Sequence, residues 1–344
     1  MSSSILSVDN LNVKFRLRGR TLHAIRGVSL DLYPGESLAI VGESGSGKSV
    51  LTKTFMGLLD ANGWIDEGSI NYGGNDLAQY KTEKQWLTIR GREIAMVMQD
   101  PMTSLNPLKT IGAQIIEAIR LHQKVTKEEA YKLMIEALDA VGINEPERRA
   151  KQYPHEFSGG MRQRVVIAIA IACKPKILIC DEPTTALDVT IQAQILELIK
   201  NLKNKLMLTT VYITHDLGVV ANVADRIAVM YAGDIVEIGR CEEIFYDPRH
   251  PYTWALLSSL PQLGRKGEPL YSIQGTPPNL FTEVKGDAFA PRNPHALNID
   301  FEERPPYFDV SETHRVRSWL LDPRAPKLEP PESVKALRNR EVHG

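Results

Sequence analysis

Cysteine is nearly absent from this chain: three in 344 residues, Cys173, Cys180 and Cys241. They lie far apart and make no metal-ligand spacing. So sparse and odd a count argues against a disulfide framework and fits a reducing cytosol. Charge of one sign is not in excess either. Lys and Arg total 41, Asp and Glu total 42, and the formal net charge is -1. No global basic field points to nucleic acid. Long apolar runs are missing as well. None approaches the roughly 18 residues that span a bilayer. The opening stretch MSSSILSVDNLNVKF lacks the basic region and long apolar core of a signal peptide. The expectation is a chain without membrane spans, so that any work at a membrane needs other subunits to supply them.

The remaining composition is that of an ordinary globular protein, 43% hydrophobic and 24% charged. The length predicts two domains, or one large domain with an appendage, at roughly 150 residues per domain. Residues 5–41 alternate apolar and polar, as in ILSVDNLNVKF and HAIRGVSLDL, which predicts antiparallel strands with one buried face. LAIVG (38–42) is a short apolar run ending in glycine and predicts a buried strand. Residues 48–59 read as a helix. From about 108 to 173 the pattern is mostly helical: IGAQIIEAIRLH, KEEAYKLMIEALDAVG and MRQRVVIAIAIAC. KILIC (176–180) predicts another buried strand, IQAQILELIKNLKNKL an amphipathic helix and TTVYITH a strand. Strands alternating with helices imply an α/β core with a parallel sheet. After about residue 260 the composition shifts. Twelve of the 21 prolines lie from Pro261 onward. Proline lacks an amide donor and disfavours helix before it, which predicts an irregular appended domain or wrapping tail.

Two stretches carry phosphate chemistry. GESGSGKS comprises Gly42, Glu43, Ser44, Gly45, Ser46, Gly47, Lys48 and Ser49, with Val50 following. It matches G-x-x-x-x-G-K-[ST] between a predicted strand and a predicted helix, the context that confirms a phosphate-binding loop. The glycines let successive amides face phosphate oxygens, and the helix N-terminus favours an anion. Lys48 is expected to reach the β- and γ-phosphates of ATP, and Ser49 to ligate Mg²⁺. KILICDEP (176–183) supplies an acidic strand end. Asp181 is expected to hold the Mg²⁺ shell, and Glu182 to orient or deprotonate the attacking water. Further along, EFSGGMRQR (156–164) places Ser158, Gly159 and Gly160 ahead of a helical run, a second phosphate-binding element. One chain does not easily bring it onto its own loop, whereas a head-to-tail dimer does.

At these residues the sequence resembles the ATP-binding cassette (ABC) ATPases, with FSGGMRQR similar to their signature motif. The resemblance covers roughly residues 5–250. It implies a P-loop ABC-type nucleotide-binding domain at 1–255. That domain has a parallel-sheet core, an antiparallel β subdomain and a helical subdomain at about 100–170. A proline-rich, irregular, cysteine-free extension at 256–344 follows. Gln99 resembles the glutamine that senses the γ-phosphate side, adjoins the Mg²⁺ site and touches the membrane subunit. Ala186–Asp188 resembles the loop that crosses the dimer interface. His215 resembles the switch histidine on the γ-phosphate, and Phe15 the aromatic that stacks on adenine. The catalytic set so implied is Glu182, His215, Gln99 and Lys48.

QDPMTSLNP (99–107), HPYTWALLSSLP (250–261) and QGTPPNL (274–280) closely resemble the oligopeptide/dipeptide importer ATPase subunits, whose relatives include nickel importers. The resemblance implies ATP hydrolysis that drives uptake of short peptides at the cytoplasmic face of the cell membrane. The implied partners are a second, similar ATPase subunit, two transmembrane permease subunits and an extracellular peptide-binding protein, with no nucleic acid. An importer for nickel or another small solute is the alternative, and a soluble ABC ATPase outside transport is a more distant one. In many members of this group the tail carries cysteines that resemble an iron–sulfur site. Those positions hold Asp287, Asn293, Asp300 and Trp319 here. Such clusters need thiolates, so no iron–sulfur cluster is expected, and the tail is expected to fold by packing and hydrogen bonding alone. A hard-metal set of Asp287, Asp300 and His295 has no support in the pattern.

Overall fold

The computed structural model describes residues 3–185, 187–260 and 273–341. The chain opens with β1 (Leu6–Leu17) and β2 (Arg20–Leu32), antiparallel as the alternation predicts. Leu6, Val8, Leu11, Val13 and Phe15 form the buried side of β1. β3 (Ser37–Val41) is buried throughout and feeds the glycine-rich loop and α1 (Lys48–Thr54). The helix expected over 48–59 therefore stops early. Gly57 adopts φ 60°, its amide bonds the Thr54 carbonyl, and the Leu58 amide bonds that of Lys53. This paired stop requires a left-handed residue. A Cβ on Gly57 would also lie 2.2 Å from the Trp86 ring.

β4 (Gly63–Tyr72) returns antiparallel along β1, and β5 (Asn75–Asp76) completes a four-stranded sheet ordered β2-β1-β4-β5. After α2 (Glu83–Trp86) comes β6 (Ile94–Val97). α3 (Pro101–Ser104) precedes the stretch predicted to be helical, which contains α4 (Ile111–His122), α5 (Lys127–Ala140), α6 (Pro146–Arg149) and α7 (Gly159–Ile171). Thr110, Thr126 and Ser158 cap the three long ones, each hydroxyl accepting an otherwise unpaired first-turn amide. The chain then alternates through β7 (Ile177–Asp181), α8 (Val189–Leu206), β8 (Thr209–Thr214), α9 (Leu217–Val223) and β9 (Arg226–Tyr231). β10 (Asp234–Arg240), α10 (Cys241–Tyr246) and α11 (Pro251–Ser258) follow.

The parallel core runs β9-β3-β8-β7-β6. In β3, Leu38 and Ile40 pack toward the antiparallel sheet while Ala39 and Val41 pack toward the helices. Apolar contact on both faces explains why such strands read as unbroken apolar runs rather than alternating ones. The carboxyl ends of four adjacent strands then carry most of the polar motifs, the SGG stretch at the start of α7 excepted. Gln99 follows β6, Asp181 and Glu182 end β7, His215 follows β8, and GESGSGKS follows β3. Ligands of open α/β sheets sit outside such strand ends.

Among its described residues the proline-rich segment is mostly irregular, but it also holds β11 (Tyr307–Asp309), β12 (Arg315–Arg317) and α12 (Glu332–Glu341). β12 pairs antiparallel with β10, so the extension prolongs the main sheet, which is ordered β11-β12-β10-β9-β3-β8-β7-β6. Beside this seam His314 Nε2 lies 2.8 Å from Glu237 Oε1. Asp287, Asn293 and Asp300 are buried. Each accepts a nearby amide: Phe289 N to Asp287 Oδ1 at 2.9 Å, His295 N to Asn293 Oδ1 at 3.0 Å, and Leu297 N to Asp300 Oδ2 at 2.6 Å. Trp319 Nε1 donates to the Glu303 carbonyl at 2.8 Å. The polar side chains at these positions thus fold the tail by stabilising its own tight turns. Among the described residues no group of three His, Cys, Asp or Glu side chains is placed to hold a metal ion.

Candidate active site

The glycine-rich loop closes tightly on β9. Gly42 has φ 152°, and a Cβ there would lie 2.1 Å from the Met230 carbonyl, so only glycine fits. Lys48 is buried and its Nζ donates to the Gly42 and Glu43 carbonyls, both at 2.8 Å, with Ser46 Oγ further off at 3.5 Å. Burial pushes the Lys48 ammonium below its usual range, an effect countered by Glu182, Asp181 and Glu43. Ser49 Oγ donates to Asp181 Oδ1 at 3.0 Å. Burial raises Asp181, and the Ser49 bond opposes the rise. A hydroxyl and a carboxylate so placed are hard oxygen donors of the kind Mg²⁺ accepts, so the residues present fit that ion.

Glu182 stands at the centre of a second group. Gln99 Nε2 donates to Oε2 at 2.8 Å, Thr185 Oγ1 donates to the same oxygen at 2.9 Å, and His215 Nδ1 lies 3.1 Å from Oε1. Burial alone would raise this carboxyl. The hydrogen bonds from His215 and Thr185 outweigh it and hold Glu182 below the usual range. Its backbone adopts φ 46°, a left-handed conformation that costs a non-glycine residue about 1 kcal/mol or more. The Glu182 amide bonds the Ile213 carbonyl at 2.9 Å, which fixes this turn against β8.

These groups surround one cavity of about 830 Å³. Phe15, Ser44, Gly45, Gly47, Lys48, Ser49, Val50, Gln99, Glu182 and His215 line it, as their common role in the motif reading requires. Gly42, Glu43, Ser46 and Asp181 stand behind that wall and reach it through the Lys48 and Ser49 hydrogen bonds. Ser158, Gly159 and Gly160 do not join it. Ser158 Oγ accepts the Met161 amide of its own helix at 3.3 Å, and Ser158 and Gly159 are exposed. Ala186 lies outside the described residues, while Asp188 caps α8 by accepting the Ile191 amide.

Several lining residues escaped the motif reading. Thr185 sits between two recognised motifs, and its spacing of three from Glu182 was an available signal. Leu17, Leu22, Asp60 and Asn62 reach the cavity from the antiparallel sheet and the turn before β4. Leu280 reaches it from the extension, where its carbonyl accepts the His23 amide at 3.0 Å. Nothing local marks Leu280 as a site residue. Among the described residues no helix is long and apolar enough to cross a membrane.

Comparison with known proteins agrees with this geometry. A family model described as ABC transporter matches residues 25–185, and one described as oligopeptide/dipeptide transporter, C-terminal region, matches 236–299. The oligopeptide transport ATP-binding protein AmiE of Streptococcus pneumoniae is 60% identical, over 98% of this chain and 95% of its own. The oligopeptide transport ATP-binding protein OppD of Bacillus subtilis is 59% identical, over 96% and 93%. The dipeptide transport ATP-binding protein DppD of Lactococcus lactis is 56% identical, over 98% and 96%. Among solved structures, the dimeric ATP-binding cassette MJ0796 in a post-hydrolysis state with ADP and phosphate superposes with a TM-score of 0.61. It is 28% identical and covers 69% of this chain and 98% of its own. The glycine-rich loop, the ring around Glu182 and an extension matched by its own family model occur together, at high identity along nearly the full length. The chain therefore belongs to the ABC transporter ATP-binding proteins of the oligopeptide/dipeptide transporter family.

Proposed function

We propose that this protein is the ATP-hydrolysing subunit of a membrane-bound importer for oligopeptides. One observation carries the chemistry: Glu182 is held by Gln99, Thr185 and His215 on the wall of the cavity that the phosphate-binding loop also lines. Lys48 neutralises the β- and γ-phosphates, and the Ser49 hydroxyl and Asp181 carboxylate, with Gln99, would hold Mg²⁺, which when bound would supply further neutralisation of phosphate charge. Phe15 supplies the face on which adenine stacks. Glu182 accepts a proton from water as the water oxygen bonds the γ-phosphorus. The bond to the bridging oxygen breaks, and its electron pair leaves with ADP. His215 and Gln99 orient the groups that Glu182 serves, and positioning and charge neutralisation supply most of the rate.

Ser158, Gly159 and Gly160 lie away from the cavity of their own chain, so a second cassette places its copy over the γ-phosphate. That partner is a similar but distinct ATPase subunit. ATP binds the closed pair and hydrolysis releases it, a two-state equilibrium that two permease subunits convert into alternating access. The protein sits peripherally on the cytoplasmic face, and an extracellular binding protein delivers the peptide. Peptide cargo is supported by the names of the relatives, which are oligopeptide and dipeptide transport proteins. The test is uptake of labelled peptides by cells deleted for this gene and lacking redundant transporters, with nickel uptake measured alongside. Loss of peptide uptake is expected. Normal peptide uptake with lost nickel uptake would reassign the cargo.

A further inference from the structure

Arg292 lies in the extension, 249 residues from the phosphate-binding loop, yet its guanidinium donates two parallel hydrogen bonds to Glu43. Nη1 meets Oε2 at 2.6 Å and Nη2 meets Oε1 at 3.0 Å. Only 3% of the Arg292 side chain is exposed. The guanidinium is itself fixed, since Nε donates to the Gln274 carbonyl at 2.9 Å and Nη1 to Tyr231 Oη at 3.1 Å. Glu43 is gripped at three points. Arg292 holds its carboxylate, Tyr252 Oη accepts its amide at 2.8 Å, and its carbonyl accepts Lys48 Nζ at 2.8 Å. Tyr231, Tyr252 and Phe289 pack in tilted and edge-to-face contacts with ring centroids 4.5 to 5.3 Å apart.

We propose, on the reading of residues 42–49 as the phosphate-binding loop, that Arg292 is a positioning residue for ATP binding. It acts through Glu43. A bidentate Arg–carboxylate pair whose guanidinium side is shielded, with 29% of the Glu43 side chain still exposed, is geometrically selective and stronger than a neutral hydrogen bond. By fixing the second residue of the loop it fixes the carbonyl that Lys48 uses, and with it the direction of the loop amides. A loop ordered beforehand spends less binding free energy on becoming ordered when phosphate arrives. The pair touches neither Glu182 nor the groups around it. Losing the pair therefore weakens ATP binding and leaves the chemical step intact. A purely structural brace would lower stability without separating the two kinetic parameters.

The test uses the full chain, with ATP affinity, KM, kcat and Tm measured on each variant. Arg292→Ala and Glu43→Gln are each expected to raise the Kd and KM for ATP about tenfold, and in Arg292→Ala kcat is held within about twofold. The double variant should be no worse than either single one, because both remove the same interaction. Arg292→Lys should recover only part of the affinity, since an ammonium does not reproduce the two parallel bonds. A wild-type KM in Arg292→Ala, or additive losses in the double variant, overturns the proposal. So does an equal fall in kcat. If Arg292→Ala does not fold, Glu43→Gln carries the affinity and double-variant outcomes, because it preserves shape. Lys48→Ala separates the two ideas. Unaltered ATP binding there removes the loop reading itself. Lost binding there beside a wild-type KM in Arg292→Ala removes only the role of Arg292.

Discussion

Ser49 Oγ donates to Asp181 Oδ1 at 3.0 Å and so ties the first turn of α1 to the end of β7. The hydrogen bond joins residues 132 positions apart, and both belong to the proposed Mg²⁺ shell. Ser49→Ala removes the hydroxyl and leaves the carboxylate. The Mg²⁺ concentration needed for half-maximal ATPase should rise about tenfold or more, while ATP binding without metal is retained. Titration of activity and of nucleotide binding against Mg²⁺ reads both quantities. An unchanged activation midpoint would remove Ser49 from the shell.

Glu182→Gln keeps the shape of the side chain and removes its basicity. Turnover should fall about 100-fold or more, in line with loss of a general base. ATP binding should persist, and the variant should accumulate as an ATP-dependent dimer with its partner subunit, detectable by light scattering. Wild-type turnover in the assembled transporter would reject the assignment.

The buried Asp287 carboxyl gives a pH signature of the tail. Burial lifts it to about 7, against the downward pull of the Phe289 amide. The unfolded chain titrates the same group near about 4. Between those values the folded state binds the extra proton, so stability falls as pH rises through about 7. Asp287→Asn keeps the acceptor for the Phe289 amide and has no proton to lose. Urea unfolding should show the variant more stable at pH 8 by up to about 4 kcal/mol, and little different at pH 3. Parallel pH profiles for the two proteins would contradict the shift.

His314 and Glu237 meet in the interior, with 1% and 0% of their side chains exposed. The other contacts of the Glu237 carboxylate come from the Arg249 and His250 amides. His314→Ala leaves that carboxylate short of a partner where water does not reach. The expected loss is about 3 kcal/mol in urea unfolding. A change under about 1 kcal/mol would mean that the seam between β10 and β12 holds without this contact.

Much of the site was legible because its parts are contiguous in the chain. GESGSGKS needs its amides, its lysine and its serine within eight positions, and a loop between a strand and a helix supplies them in order. LAIVG and KILIC were legible as strands because both faces of a buried parallel strand must be apolar. The end of α1 was less plain. Apolar residues continue past Thr54, but Gly57 is the residue that permits the left-handed stop, and the Trp86 ring fills the space where a Cβ would stand.

The sequence by itself determined the residue types and order of the candidate site: the glycine-rich loop, the carboxylates ending β7, the signature stretch and the resemblance that joins them. Tertiary structure alone decided how distant pieces meet. β11 and β12 are three residues each, too short to show a period, and they exist as strands because the edge of β10 offers unpaired backbone groups. Leu280 enters the cavity and Arg292 reaches Glu43 through folding, since the spacing of a motif records only contacts made within a few turns of chain. Glu43 and Arg292 are 249 positions apart, and nothing local signals their pairing. The bidentate geometry that gives the pair its consequence arises only when the extension packs against the loop.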